Sequence, residues 1–512
     1  MAAVVLACAF LSASMIVGCS DTSTEPETEI APTPTVEESV PAAARAPNIL
    51  IIIADDVGVD QIGAYGEGAP SVTTPVIDAL AARGMLFRNT WSNPVCSSTR
   101  ATILTGRYGF RTGVGFVAEP GEELRDREHT LPKMLSRHPS VRYGTAAFGK
   151  WHLNAGRTWE DDRNILVAPY RAGFSYHRGV FKNLPSSYES WPDIRVVGQG
   201  GGRVLVEGGE TNTNYVTSET VNHAGAWIRD FEARRPDDPW FLWLAFNAAH
   251  TPFHKPPQHL HSRDLSDPAL TCTNPAPYAD PGNLVPCYQA MIEAMDTEIG
   301  RLLNSEISKE SLGRTTVIFV GDNGSERGTQ AAGLDPSRAK GTPYEGGVNV
   351  PLIVAGAGVE SAGDGKARES RVLVNTTDLF ATTLELAGID VDATVPSRYA
   401  SPRRASSIVR EVLARAGRDV VLDSYSLLPH IQSPDSHSQK HARHFAYTEL
   451  FREGAPDDMW PIANAIRNPR GFKLIRFLKA SNGAWREELY DLASDPFERT
   501  YLIGLQMNEE SR

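Results

Sequence analysis

Positive charge is in short supply in this chain. Its 512 residues carry 50 Lys and Arg against 62 Asp and Glu, a formal net charge of -12. That balance excludes nucleic acid as the main partner. An anionic substrate would have to be drawn in by local Lys, Arg, His or metal, against the field of the whole chain. Cysteine is scarce as well. Five residues do not make a disulfide-dense scaffold, and each can be followed individually. There is no internal repeat, which excludes a solenoid. The N-terminal apolar run, Val4 to Val17, is too short and too soon interrupted to span a bilayer comfortably. The hydrophobic content of 41% is ordinary for a folded protein, and the length exceeds what one core usually spans. One large domain plus a smaller one is expected.

The run from Val4 reads as a targeting segment. It ends in Ile16-Val17-Gly18-Cys19, which resembles the lipobox of bacterial lipoproteins, whose cysteine is acylated and becomes the mature N-terminus. One feature departs from that pattern: no Lys or Arg precedes the apolar core. An ordinary cleaved secretion signal is the alternative. Both place the protein outside the cytoplasm, in the bacterial periplasm or at the cell surface, the first with a lipid anchor in the membrane at Cys19. Residues 20–46 are rich in Thr, Glu, Pro and Ala and read as a disordered linker. Cys8 leaves with the signal. Cys272 and Cys287, close together in a Pro-rich stretch of an exported chain, read as a disulfide, with two unpaired loop thiols as the alternative. Cys96 is then the odd one, and an unpaired thiol outside the cytoplasm calls for an explanation.

The folded part begins near Ala46. Asn48 to Ile53 is a continuous β-branched run, as expected of a strand buried on both faces. Similar runs are Tyr143–Phe148, Trp240–Phe246 and Thr315–Val320, with Pro351–Ala355 as a shorter one. Between them lie helical patterns: Thr74–Arg83, Arg100–Thr105 stopped by Gly106, Thr130–Arg137, Ser218–Arg234, Tyr288–Leu303 and Thr377–Ala387. Strands alternating with helices predict an α/β fold, a large mostly parallel sheet covered on both faces. After Gly388 the texture changes. His444–Phe451, Ala463–Ile466, Phe472–Phe477 and Glu487–Tyr490 read as short strands of a small antiparallel sheet with a helix. The expected organisation is 1–19 signal, 20–46 linker, 47–390 catalytic domain and 391–512 small C-terminal α+β domain.

The four long apolar runs end in groups that bind metals or anions: Asp55-Asp56, then Lys150 and His152, then His250, then Asp322-Asn323. In open α/β sheets ligands sit at the carboxyl ends of the strands. Hard oxygens of Asp55, Asp56, Asp322 and Asn323 select Ca²⁺ or Mg²⁺ over Zn²⁺. Adjacent carboxylates crowd like charges, and a divalent ion relieves them. Cys96 stands just before a helix, whose free N–H groups stabilise anions, and Arg100 lies one turn further on.

The stretch Cys96-Ser97-Ser98-Thr99-Arg100 through Leu104-Thr105-Gly106-Arg107 resembles the signature of the formylglycine-dependent sulfatases, Cys-x-Pro-Ser-Arg followed by Thr-Gly-Arg. The same family resemblance extends to the Asp-Asp strand end, Gly149-Lys150-Trp151-His152, His250-Thr251-Pro252, Gly321-Asp322-Asn323-Gly324, Lys340-Gly341 with Glu345-Gly346-Gly347, and Glu488-Leu489-Tyr490-Asp491-Leu492. It covers roughly residues 47 to 500, and the arylsulfatase B-like branch of this alkaline-phosphatase-like superfamily is the nearest. The resemblance implies one Ca²⁺ per chain, with Mg²⁺ as the alternative, held by Asp55, Asp56, Asp322, Asn323 and the residue at 96. It implies that Cys96 is oxidised to formylglycine by a formylglycine-generating enzyme. A hydrated aldehyde has two hydroxyls, one to attack sulfur and one to expel sulfate afterwards. Arg100 and Lys150 would stabilise that residue, His152 would take the proton during sulfate release, His250 and Lys340 would serve the leaving group, and Glu345 would stand behind the site. Two positions depart: Ser98 replaces the family's proline and Thr99 its serine, which bears on conversion of Cys96.

The function this implies is hydrolysis of sulfate monoesters, of aryl sulfates or sulfated glycans. Two other functions compete. One is phosphonate monoester or phosphodiester hydrolysis by the same site. The other is non-catalytic binding of sulfated glycans if Cys96 stays a thiol. Specificity is expected in loops such as Thr158–Gly209 and His254–Pro286. Trp159, Tyr170, Tyr176, Tyr188 and Trp191 read as packing residues of the first of these, with stacking on sugar or aryl rings as the alternative.

Overall fold

The computed structural model describes residues 45–507 apart from 68–71, 119–121, 139, 155–162, 185–186, 273–280, 360, 362, 364–366, 392–421, 433–442, 452–460 and 479–484. The expected signal, the Cys19 anchor and all of the linker but residues 45 and 46 therefore lie outside the described residues, and the expected boundary at 390 borders the undescribed residues 392–421. No helix among the described residues is long and apolar enough to cross a membrane.

Ten strands form one sheet: β1 (Asn48–Ala54), β2 (Gly84–Trp91), β3 (Gly144–Lys150), β4 (Tyr176–Val180), β5 (Trp191–Gly198), β6 (Val204–Asn212), β7 (Trp240–Ala245), β8 (Thr315–Gly321), β9 (Leu352–Gly356) and β10 (Arg368–Asn375). Their order is β10-β2-β9-β8-β1-β7-β3-β4-β5-β6. The centre, β8-β1-β7-β3-β4, is parallel. Both flanks turn antiparallel, through β9 on one side and β5 and β6 on the other.

The run in β1 works as its composition predicts. Leu50 and Ile52 enter one apolar layer, while Ile49, Ile51 and Ile53 enter the other. Alternate side chains leave a strand on opposite faces, so a strand apolar at every position needs cover on both. Helices α1 (Pro75–Ala82), α4 (Val216–Arg234) and α5 (Pro281–Arg301) cover the first face. Helices α2 (Cys96–Thr105), α3 (Leu131–Leu135) and α6 (Asp378–Leu386) cover the second. Each fully buried Leu or Ile contributes about 1.5–3 kcal/mol to that sandwich. Cys272 and Cys287 are disulfide-bonded, and Cys96 is free and buried.

A second sheet, β11 (Ala446–Phe451), β12 (Pro461–Arg467), β13 (Phe472–Leu478), β14 (Trp485–Asp491) and β15 (Ile503–Met507), is antiparallel throughout. Its inner residues Ala446, Ala465, Ile475 and Tyr490 share a core with Trp91, Val348 and Leu373 of the large sheet's region. Residues 45–512 consequently form one compact unit.

Three readings of local structure change. The segment 158–209, expected to be a specificity loop, holds β4, β5 and most of β6. Ile194 and Val196 alternate inward there, a period-2 pattern that its many Gly and charged residues obscured. Both β2 and β10 were unmarked, because Arg88, Asn89 and the charged start of β10 interrupt their apolar pattern. Helix α2 starts four residues earlier than expected and takes Cys96 into its first turn.

Candidate active site

Register brings the scattered motifs together. Ala54, the last residue of β1, pairs with Gly321, the last of β8. Asp55-Asp56 and Asp322-Asn323 thus leave the sheet side by side. Ile53 also pairs with Ala245 of β7, and Gly149 of β3 pairs with that same residue. The chains carrying Lys150, His152 and His250 therefore emerge at the same edge. Gly149 is required: it has φ +81, and a Cβ there would lie 2.0 Å from the Ala245 carbonyl oxygen. Two non-glycine residues, Asp56 (φ 60) and His152 (φ 58), are also left-handed. Such backbone costs about 1–3 kcal/mol and is retained where the surroundings enforce it.

Helix α2 approaches this edge with its first turn. Cys96 Sγ lies 3.1 Å from His152 Nδ1. Ser97 Oγ donates to the His152 carbonyl (2.7 Å), fastening the helix start to the β3 exit. Ser98 Oγ donates to the Val95 carbonyl, and Thr99 Oγ1 accepts from Asn93 N–H. The two residues that depart from the family signature thus both brace the turn. One turn on, Arg100 donates Nε and Nη2 to Asp322 Oδ2 at 3.0 and 2.8 Å, and Nη1 to the Lys150 carbonyl at 2.9 Å.

The acids are tied to one another and to cations. Lys150 Nζ rests against Asp55 Oδ2, and Arg100 Nη2 stands 3.5 Å from the same oxygen. Lys340 Nζ lies 2.6 Å from Asp56 Oδ2. Asn323 Nδ2 donates to Asp56 Oδ1 at 2.8 Å, and the Asp56 N–H donates to Asp322 Oδ1 at 3.1 Å. His250 Nδ1 lies 2.7 Å from the Thr251 carbonyl, which assigns its proton to that nitrogen. Its Nε2 then faces Asp56 Oδ2 at 3.9 Å.

Burial, the largest influence, raises the carboxyls of Asp55 and Asp56, but Lys150, His250 and Arg100 together for the first, and Lys340, His250 and Lys150 together for the second, hold both below the ordinary range. Burial and the neighbouring Asp55 charge push Asp322 the other way, up to about 7, against Arg100. Three carboxylates thus share the nest with Arg100, Lys150 and Lys340, and a divalent cation would relieve their mutual repulsion further. Burial pushes the Cys96 thiol up to about 11 despite Lys150, so the sulfur is no thiolate nucleophile. His152 is driven down by burial, Lys150 and Arg100, and His250 by burial, Lys340 and Lys150. Both are neutral bases at neutral pH.

Two buried oxygen atoms in this nest have neither a hydrogen-bond nor an ion-pair partner among the described residues, Asp55 Oδ1 and Asn323 Oδ1. Such atoms are costly unless something else meets them. Ligand atoms of Asp55, Cys96 and Asp322 lie within 4.8 Å of one another, as do those of Asp55, Asp56 and His250. The donor set, hard oxygens of Asp55, Asp56, Asp322 and Asn323, fits a divalent cation of the Ca²⁺ or Mg²⁺ kind.

All the expected site residues thus converge: Asp55, Asp56, Cys96, Arg100, Lys150, His152, His250, Asp322, Asn323 and Lys340. Glu345 does not join them. Its carboxylate accepts from Trp91 Nε1 (3.1 Å) and pairs with Lys473 (3.0 Å) and Arg467 (3.2 Å) of the small sheet. Two further residues join, one that the sequence marked only for packing and one that it did not mark. Tyr188 is buried, with its hydroxyl 2.5 Å from the Asn247 and 2.7 Å from the His250 carbonyl, bracing the turn that carries His250. Glu326 Oε2 lies 3.0 Å from Lys340 Nζ. A lone aromatic and a lone acid in long loops carry no signal of this kind.

Residues 47–389 match the family model described as Sulfatase. The chain is 29% identical over 381 residues to the N-acetylgalactosamine-6-sulfatase of Sus scrofa, covering 69% of this chain and 64% of that protein. It is 28% identical over 375 residues to the arylsulfatase A of Homo sapiens, covering 68% and 65%. The chain thus spans a little under two thirds of the length of these curated relatives. Among solved structures it resembles the PsFucS1 sulfatase from Pseudoalteromonas sp., with a TM-score of 0.62, 21% identity and coverage of 90% of this chain and 86% of that one. That last likeness concerns the fold.

Proposed function

The chain belongs to the sulfatase family, and from that premise we propose that it hydrolyses sulfate monoesters, with residue 96 as nucleophile after conversion to formylglycine. The observation that carries this reading is the place of Cys96. A buried sulfur sits in the first turn of α2, 3.1 Å from His152 Nδ1, in one cluster with the carboxylates of Asp55 and Asp322. A thiol of raised pKa is a poor nucleophile there, whereas an oxygen nucleophile at the same atom would face a cation site and a neutral imidazole.

Asp55, Asp56, Asp322 and Asn323 would hold a Ca²⁺ or Mg²⁺ ion, which when bound polarises sulfate oxygens and neutralises their charge. A hydrated aldehyde at 96 would supply one hydroxyl for attack and a second for release. The remaining work falls to side chains of fixed position. Arg100, held by Asp322 and the Lys150 carbonyl, and Lys150 itself keep positive charge beside residue 96. His152 Nδ1 is placed to accept a proton from a hydroxyl at 96. His250 and Lys340 both stand beside Asp56 Oδ2 and would supply a departing alcohol oxygen with a proton or a positive charge.

The substrates we infer are sulfated sugars. A relative at 29% identity is named for N-acetylgalactosamine 6-sulfate, and export with a tether at Cys19 suits an enzyme of extracellular glycans. Location outside the cytoplasm, the lipid anchor and a formylglycine-generating enzyme as maturation partner belong to the same proposal. Two measurements test it. Mass spectrometry of the Cys96 peptide from the native host should show an aldehyde in place of the thiol. Purified protein should release sulfate from 4-nitrophenyl sulfate and from sugar sulfates, and prefer them over phosphonate monoesters and phosphodiesters. A peptide carrying only thiol, with no turnover, would leave a glycan-binding surface protein instead. Incorporation of labelled fatty acid, lost in Cys19→Ala, tests the anchor.

A further inference from the structure

Exposure divides the site into a floor and a mouth. The side chains of Asp55, Asp56, Arg100 and Lys150 are 0% exposed. Solvent reaches His250 (12%), Lys340 (15%) and Glu326 (25%). On the sulfatase reading a leaving group would depart past these three, and Glu326 has no part in the chemistry described so far.

Lys340 Nζ lies between two carboxylates, Asp56 Oδ2 at 2.6 Å and Glu326 Oε2 at 3.0 Å. They are not equivalent. Asp56 belongs to the oxygen cluster that fits a divalent cation, and a cation there competes with Lys340 for its charge. Glu326 is in neither cluster of closely spaced metal-type ligands, so its carboxylate stays with the lysine. Its own position is fixed from several directions. Its carbonyl accepts from Thr329 N–H, Thr329 Oγ1 and Gln330 Nε2, and its Oε1 accepts from Arg327 N–H. The Lys340 N–H donates to the Ser325 carbonyl at 3.1 Å, one residue from Glu326. The lysine is therefore anchored at both ends of its side chain by the 325–326 segment. Attraction to Lys340 in turn keeps Glu326 ionised against the pull of burial.

We propose that Glu326 is the positioning residue of Lys340: it holds the ammonium on the leaving-group side of the site when a cation occupies the Asp55, Asp56, Asp322 and Asn323 oxygens. The proposal rests on the sulfatase reading above. Without Glu326 the ammonium would have only Asp56 to follow, towards the floor. With it, positive charge stays where the ester oxygen departs, and matters most when that oxygen is a poor leaving group.

The test uses the full chain, with conversion at residue 96 and metal content measured first. Glu326→Gln keeps the shape and removes the charge, and Glu326→Asp restores the charge on a shorter arm. Across aryl sulfates of rising leaving-group pKa, ending with a sugar 6-sulfate, Glu326→Gln should lower kcat/KM roughly tenfold or more for the sugar ester and at most about threefold for 4-nitrophenyl sulfate. Lys340→Ala should show the same trend, the double variant should add little to it, and Glu326→Asp should recover part of the loss. Ca²⁺ affinity should stay within about twofold of wild type. An equal loss with every ester, additive losses in the double variant, or a fall in Ca²⁺ affinity that accounts for the loss would overturn the proposal. If the unaltered protein cleaves no sulfate ester, the sulfatase reading fails first. The geometric claim is then decided by a crystal structure of the Ca²⁺-loaded protein. Lys340 Nζ within hydrogen-bond distance of Glu326 upholds it, and Nζ turned away refutes it.

Discussion

Asp55 and Asp378 are both wholly buried aspartates, and they are handled in opposite ways. The Asp378 carboxylate accepts from Asn375 N–H (2.9 Å), Tyr425 N–H (2.7 Å), Arg443 Nε (2.6 Å) and Arg443 Nη2. Arg443 in turn meets Thr377 Oγ1, Tyr108 and the Asp423 carbonyl. Both carboxylate oxygens there accept hydrogen bonds, and the network ties the start of α6 to segments distant in sequence. Asp55 accepts no hydrogen bond on either oxygen, although Lys150 and Arg100 stand against one of them. A buried charge that is fully satisfied stabilises the fold, or at least specifies it. One left half-satisfied, beside left-handed backbone at Asp56 and His152, marks where the fold gives up stability for chemistry.

The largest expected effect lies on the chemical side of this contrast. Cys96→Ala should lower sulfate-ester turnover by at least about 10³-fold, while its thermal melting stays close to wild type. A melting point that collapsed with the activity would make Cys96 a structural residue and break the comparison. Next comes the other pole. Asp378→Asn leaves Arg443 short of a counter-charge and should cost about 3–5 kcal/mol in denaturant unfolding, with turnover per folded molecule kept within about threefold. Third, Ca²⁺ at a hundred times its dissociation constant should stabilise the wild type by about 2.7 kcal/mol. Asp378→Asn should keep that gain from a lower baseline, and Asp322→Asn should lose most of it. An undiminished gain in Asp322→Asn would place the cation elsewhere.

The smallest effect concerns pH. Glu449 is buried under the 108–110 turn, accepting from Phe110 N–H and Tyr447 Oη, and burial pushes its carboxyl up to about 7. Its ordinary value is 4.5. Between those pH values the folded chain holds a proton that the unfolded chain has released. Its contribution to stability therefore falls as pH rises from about 4.5 to 7, and the penalty is complete above 7. The size is on the order of 2 kcal/mol after relaxation. Glu449→Gln should flatten that slope in urea midpoints measured from pH 4.5 to 8. An unchanged slope would mean that the glutamate is ionised when folded.

How far the chain could be read in advance depended on how local the cause was. The central strands were legible because β1, β7 and β8 are apolar without interruption, which only a strand covered on both faces tolerates. The acids, lysine and histidines were legible because each ends such a run. Strands β2, β5, β6 and β10 were not, since one exposed face, or charge at one end, dilutes the pattern. Glu345 sits in a stretch that resembles the family signature, and that association puts it behind the site. Its partners Arg467 and Lys473 are more than a hundred residues away, and no local pattern reveals such pairing. Glu326 was missed for the same reason, and Tyr188 was legible only as a packing aromatic: their roles are defined by what they touch.

The sequence by itself determined which groups are delivered to strand ends, because apolar periodicity and its interruption are properties of neighbouring residues. It also made Cys272 and Cys287 the expected disulfide pair, with two unpaired thiols as the alternative, and the structure shows the bond. Only the tertiary structure decided that Ala54 and Gly321 lie in register, so that two acidic pairs share one nest, and which oxygens in that nest are left without a hydrogen bond. Those facts depend on contacts between segments hundreds of residues apart, which exist only when the sheet has closed around them.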